Sequence, residues 1–264
     1  MKLAISNIGW EAPNDIYIYD LMKKYGYSGL EIAPTRIFPQ HPYDNLTEAE
    51  LWSRKLKKEY GFTIPSMQSI WYGRQEKLFG TVEERERLVN YTKRAIHFSA
   101  AIGCKNIVFG CPRNRSIPEG VDAQIGVSFF KEMGDYAAKH DVVIGIEANP
   151  TIYNTNYIND TLSALSLIQK VESDGFKLNL DVGTMIANDE DISVLIGKVG
   201  LIHHVHISEP ELKPVKKREF HKELKKVLSE GMYDGYVSIE MEKTDDLSLI
   251  ENKLQYVREC FYDL

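Results

Sequence analysis

Residues 201–208 read LIHHVHIS, an apolar pair followed by histidines at 203, 204 and 206 that are spaced by Val205. Successive side chains of an extended strand point to opposite faces. His204 and His206 therefore share one face, and His203 points the other way, where it is expected behind the wall of a sheet. Similar short apolar runs recur along the chain: KLAISNIG, GLEIAP, FTIPSMQS, NIVFGCP, VVIGIEANP, FKLNLDVG and GYVSIEME. With the histidine-bearing run they make eight. Amphipathic stretches with helical spacing lie between them. Thr47 with Glu50, and Thr81 with Glu84, have the spacing of a capping box, in which hydroxyl and carboxylate satisfy first-turn N–H groups. Gly26 and Gly61 stand where helices would stop.

Eight strand patterns, each followed by a helix pattern, are the signature of an α/β fold of the (β/α)8 TIM-barrel type. Several runs are almost continuously apolar, as a parallel sheet covered on both faces requires. The chain has 264 residues, a usual length for one such barrel. No linker or composition shift divides it, so residues 1–264 are expected to form a single domain.

Composition narrows the function. The formal net charge is −6, which argues against a nucleic-acid partner, since gripping a phosphate backbone needs clustered Lys and Arg. The one basic cluster, KPVKKR at 213–218, is short and expected to be a solvated loop. Three cysteines, Cys104, Cys111 and Cys260, form no CxxC pair; reduced thiols and a cytoplasmic address are expected. Neither a signal-peptide core nor a membrane-spanning stretch is present, so no membrane partner is expected. The outer helices of a barrel offer faces on which a homodimer could form.

Chemistry in such a barrel sits at the C-terminal ends of the strands. The polar residues found there are Glu31 after the second run, Gln68 on the third, Glu147 on the fifth, Asp181 on the sixth, His204 and His206 on the seventh, and Glu240 on the eighth. Carboxylates and an imidazole converging on one mouth would repel one another if left alone. A divalent cation resolves this, and an oxygen-rich set with one imidazole suits Mn, Mg, Co or Zn without choosing among them.

At these residues the chain resembles the xylose isomerase-like TIM-barrel superfamily, over essentially its whole length, from GLEIAP through IGIEANP, LDVGT and HVHISE to YDGYVSIEM. The resemblance implies one divalent metal ion held by Glu147, Asp181, His206 and Glu240. It also implies a carbohydrate substrate and isomerase or epimerase chemistry: proton transfer beside a carbonyl through an enediolate, with Glu147 and Glu240 as the catalytic pair. The superfamily also contains inosose dehydratases and endonuclease IV. Thr184 stands where free-ketose epimerases carry a substrate-binding His, and Leu212 where they carry an Arg. A classical ketose 3-epimerase therefore fits poorly. The alternatives are a dehydrating lyase, a nuclease and a non-catalytic sugar-binding barrel.

Substrate contacts are expected from His204, Glu209, Arg113, Asn149, Gln68 and Trp71. Arg113 and Arg115 lie on the loop after the fourth run, where a guanidinium fork would suit a phosphorylated or acidic substrate; solvated surface arginines are the plainer alternative. Trp71, Tyr72 and Trp10 could stack on a sugar, and Asn154 could bond a hydroxyl. Glu211 is expected in solvent, and Cys111 as an inert buried thiol.

Overall fold

The structure is a computed structural model that describes residues 1–262. Eight parallel strands form it: β1 Lys2–Ser6, β2 Gly29–Glu31, β3 Ser66–Met67, β4 Asn106–Phe109, β5 Val143–Ile146, β6 Phe176–Asp181, β7 Ile202–Ile207 and β8 Tyr236–Ile239. They are hydrogen-bonded in the order β2-β1-β8-β7-β6-β5-β4-β3. The two ends of that order meet through single bridges, Gly29 with Thr63 and Ile32 with Met67. Ile32 N–H donates to Ser66 O at 3.2 Å, and Gln68 N–H donates to Ile32 O at 2.9 Å. The result is a (β/α)8 TIM barrel, closed along a sparsely bonded β2–β3 seam.

The helices are α1 Asp15–Lys24, α2 Pro34–Ile37, α3 Leu46–Tyr60, α4 Val82–Ala101, α5 Gln124–Ala138, α6 Thr161–Val171, α7 Val182–Ala187, α8 Glu219–Glu230 and α9 Leu247–Phe261. Thr81 and Glu84 form the expected capping box on α4. The box at Thr47 does not form: α3 begins at Leu46 after Asn45, two residues too early for Thr47 to act as its cap. Glu50 instead reaches Arg54, one turn along the helix. Gly61 ends α3 in the left-handed region at φ 79°, which a glycine adopts without a Cβ clash.

The strands divide their two faces cleanly. Leu3, Ile5, Leu30, Ile107, Phe109, Ile144, Leu178, Leu180, Val205 and Val237 are buried in the apolar core, which lies between the sheet and the surrounding helices. The barrel axis is polar instead, with Ser66, Asn106, Asn179, His204, His206 and Ser238 all buried. Asn106 Nδ2 donates to Ser66 Oγ at 3.0 Å and to Asn179 Oδ1 at 3.4 Å. This contact spans β4 to β6 because the intervening inward residue is Gly145, whose Cβ would sit 2.8 Å from Asn106 Oδ1.

The outer layer holds one titratable group of note. His221 on α8 is fully buried, with Nδ1 2.8 Å from the Tyr256 hydroxyl of α9. Burial drives its pKa from 6.5 down to about 4, with Glu209 pulling upward and Arg218 downward. A histidine depressed in the folded state takes up its proton more readily when unfolded. Its contribution is therefore fully present above pH 6.5 and lost as pH falls through 4, a swing of about 3 kcal/mol. Urea midpoints are expected to drop across that window in the wild type and to drop less in His221→Phe. Equal losses in both proteins would show that His221 does not titrate in this way.

Candidate active site

The C-terminal ends of β5 to β8 bring their polar residues to one level. Asp181 pairs in register with His206 between β6 and β7, and His206 with Ser238 between β7 and β8. Glu147 and Glu240 follow directly on β5 and β8. His206 is the centre of the constellation and is fully buried. Its Nε2 lies 2.9 Å from Glu31 Oε2, hydrogen-bonded. Its Nδ1 lies 3.2 Å from Glu147 Oε2 and 3.1 Å from Glu240 Oε2.

A proton on Nε2, donated to Glu31, leaves the Nδ1 lone pair facing two carboxylate oxygens. Three acceptors then share one space, and the amide of Asn179 is the donor beside them, 3.1 Å from Glu147 Oε2 and 3.3 Å from Nδ1. Either a proton on Nδ1 or a cation can fill that space. A divalent cation fits the donor set, an imidazole nitrogen with carboxylate oxygens, and Glu31 would orient the imidazole from behind.

The electrostatics agree. Burial disfavours the imidazolium, but Glu240, Glu31 and Glu147 outweigh it and hold the His206 pKa well above its ordinary value. Burial likewise works against ionised Glu31, yet His206 and His204 keep its carboxyl far below the usual range. Glu240 is pushed up to about 7, first by burial and then by Glu147 and Asp181, against the pull of His206. Burial and Glu147 also raise Asp181.

Among the described residues, close-set groups of possible ligand atoms are Glu31 with His204 and His206, and Glu147 with His206 and Glu240. Asp181 belongs to neither. Its Oδ2 accepts Thr184 N–H and Oγ1–H, both at 2.7 Å, and its Oδ1 accepts the Ser208 hydroxyl. A carboxylate offers about four acceptor sites, so Oδ1 keeps one lone pair unused.

The residues expected to touch substrate are scattered more widely. Gln68 is buried and donates through Nε2 to Ser6 Oγ at 2.7 Å and Glu31 Oε1 at 3.2 Å, which ties it to the floor. Asn149 donates to Glu147 Oε1 at 2.9 Å. His204 sits behind Glu31, with Nε2 at 2.9 Å but not aligned to hydrogen-bond. Glu209 is turned toward the β7–α8 loop, where Arg218 Nε donates to it at 2.7 Å and Lys216 N–H at 3.1 Å. The basic cluster is thus only partly the solvated loop expected of it, since Arg218 neutralises a buried carboxylate. Glu211 is exposed and paired with Lys213.

Three expectations are corrected. Trp71 offers no stacking face: it is 2% exposed, its indole N–H donates to Thr92 Oγ1 at 2.9 Å, and Phe109 and Phe129 pack edge-on against it. Trp10 is likewise buried, bonded to Asp15. In both cases a partner for the N–H lets the large ring join the core. Arg115 is not on a solvated surface but fully buried, donating to Glu147 O at 2.8 Å and to Asn149 Oδ1 at 2.9 Å. Gly110 completes the setting of Glu147, since a Cβ there would lie 2.7 Å from Glu147 Oε1. Arg113 is exposed, on the loop that follows β4. Cys111 is half-buried rather than buried as expected, and desolvation pushes its thiol up to about 12.

Sequence reasoning missed the roles of Glu31, Asn179 and Arg115. Glu31 and Asn179 stood at strand ends and in alternation, so a polar residue in a buried run was the available signal. Arg115 carried none.

A family model described as xylose isomerase-like TIM barrel matches residues 19–260. The chain is similar in structure to the 3-keto-D-glucoside 4-epimerase of E. coli, at 20% identity and TM-score 0.75, over 98% of this chain and 100% of that one. It is similar to a D-psicose 3-epimerase solved with D-tagatose from Clostridium cellulolyticum, at 17% identity and TM-score 0.75, over 98% and 99% of the two chains. It is also similar to the IolI protein solved with a zinc atom, at 18% identity and TM-score 0.71, over 98% and 96%. No curated protein matches the chain by sequence. At these identities the likenesses speak for the fold.

Proposed function

Because the chain belongs to the xylose isomerase-like TIM-barrel family, we propose that it is a divalent-metal-dependent isomerase or epimerase of a sugar or sugar derivative. The observation that carries this reading is the meeting of His206 Nδ1 with Glu147 Oε2 and Glu240 Oε2 within 3.2 Å. These three residues would hold the metal, with the remaining lone pair of Asp181 as the fourth ligand. A divalent cation held there supplies the positive charge that acidifies a C–H beside a carbonyl.

The chain's own groups do the rest. Glu147 and Glu240 leave strands separated by β6 and β7, so they approach a substrate from different sides. One carboxylate takes the proton from carbon, and the other returns a proton to the resulting enediolate. Glu240 is buried beside Glu147 and Asp181, which suits a carboxylate to exchange a proton with substrate. Asn179 and Asn149 fix the Glu147 carboxylate at 3.1 and 2.9 Å, and the buried floor excludes water. The named substrates of the neighbours, a 3-keto-glucoside and psicose, support a carbohydrate of similar size.

The test is twofold. Dialysed protein titrated with Mn²⁺, Co²⁺ or Zn²⁺ should bind one equivalent and melt at higher temperature. The loaded protein, incubated with keto-sugars in D₂O, should place deuterium on a carbon next to the carbonyl. Protein that neither contains nor takes up a divalent metal would refute the assignment, and loss of water from the substrate would make it a lyase.

A further inference from the structure

Beside the acidic floor lies a cleft of about 520 Å³ between the loops that follow β3 and β4. It begins one residue beyond the floor on each side: Ser69 follows Gln68, and Cys111 follows Gly110. Two loops stitched to each other form its walls. Asn114 Nδ2 donates to Arg74 O at 3.1 Å and Glu76 O at 2.8 Å, Leu78 N–H to Asn114 O at 2.7 Å, and Lys77 Nζ to Arg113 O at 2.6 Å. A chance surface groove has no such cross-bracing, so this cleft keeps its shape without a ligand.

Its lining inverts the charge of the floor. Arg74, Lys77 and Arg113 line it, and no acidic residue does. Arg74 is paired through Nη2 with Glu76 and lies over the face of Tyr91, while its buried Nε has no hydrogen-bond partner. Arg113 is exposed and has no ion pair or side-chain hydrogen bond among the described residues. Next to it the Tyr72 ring is 71% exposed, a large apolar face in open solvent at the rim of a site. A free guanidinium fork and an open aromatic ring are complementary to an oxyanion and to the C–H face of a sugar.

We propose that this cleft is the subsite for an anionic substituent, a carboxylate or a phosphate, borne by the carbohydrate, with Arg113 as its counter-ion and Tyr72 as its platform. The inference rests on the function proposed above. It orients the substrate: the four carboxylates of the floor repel the anionic end, and the basic cleft takes it, so the neutral carbonyl end faces His206.

Calorimetric titration with D-fructose, D-fructose 6-phosphate and D-glucuronate tests it. At least one anionic probe should bind the wild type about 10-fold tighter than D-fructose, the preference shrinking at high ionic strength. Which of the two wins tells phosphate from carboxylate. Arg113→Gln should lose the preference without weakening D-fructose, Arg113→Lys should keep part of it, and Tyr72→Ala should weaken every probe that binds. Equal binding of the neutral and anionic probes, no binding of either anion, or an unchanged preference in Arg113→Gln would overturn the subsite. Metal uptake, measured separately, keeps the two claims apart. Protein that binds Mn²⁺ without discriminating loses only the subsite, and protein that discriminates without binding metal loses only the proposed reaction.

Discussion

Glu240→Gln is expected to abolish metal-supported proton exchange almost completely while leaving the fold at least as stable as the wild type. A positioned general acid or base contributes roughly 10²–10⁴-fold, and an amide can neither shuttle the proton nor ligate as an anion. The fold should not suffer, because Glu240 is costly where it stands. Burial, Glu147 and Asp181 together raise its pKa to about 7, so its ionised form is disfavoured until a cation is present. Glutamine preserves the shape and removes that repulsion. Melting curves of the metal-free proteins, alongside deuterium incorporation measured by NMR, check both halves. Normal exchange in the variant would remove Glu240 from the reaction, and a collapse in melting temperature would show that the carboxylate holds the barrel together.

The opposite profile is expected at Glu31. Its side chain is fully buried between His204 and His206, 2.9 Å from each Nε2. Removing one partner of a buried ion pair leaves the other charge uncompensated and costs about 3–5 kcal/mol. At roughly 2–4 °C per kcal/mol for a chain of this size, Glu31→Ala should lower Tm by about 10 °C. Metal affinity should fall 10- to 100-fold, the usual effect of losing a group that orients a ligating histidine. Glu31→Gln separates the causes, since it fills the space but lacks the charge. If both variants melt like the wild type, His206 is not held by an ion pair, and the account of the floor fails.

Much of this arrangement was legible from the strands alone. Eight apolar runs with intervening helical patterns define the barrel, and Glu147, His206 and Glu240 stood out because a charged residue ending a buried strand needs a reason. What escaped were relations between strands. Which carboxylate meets Nε2 of His206 depends on the stagger of β2 against β7, and no local pattern records it. Arg115 and Arg113 are two residues apart on one loop, yet one is buried against Glu147 O and the other is in solvent. Trp71 and Tyr72 divide in the same way, because Thr92, on a helix distant in sequence, offers a partner to the indole. The failed cap at Thr47 is a smaller case: a competing start two residues earlier, at Asn45, was as compatible with the local sequence.

The β2–β3 seam gives the barrel a mechanical asymmetry. Seven junctions are hydrogen-bonded ladders, the β6–β7 one with a register shift at Leu178/Asn179, whereas this one is held by isolated bridges and a few backbone bonds. Sparsely bonded junctions part at lower free energy than core ladders. Glu31 stands at one lip and Gln68 at the other, joined at 3.2 Å. The carboxylate that aims the central histidine is thus fastened to the least-bonded junction of the barrel. Breathing of the scaffold and readiness of the site become a single equilibrium, in which whatever steadies the floor also latches the barrel shut.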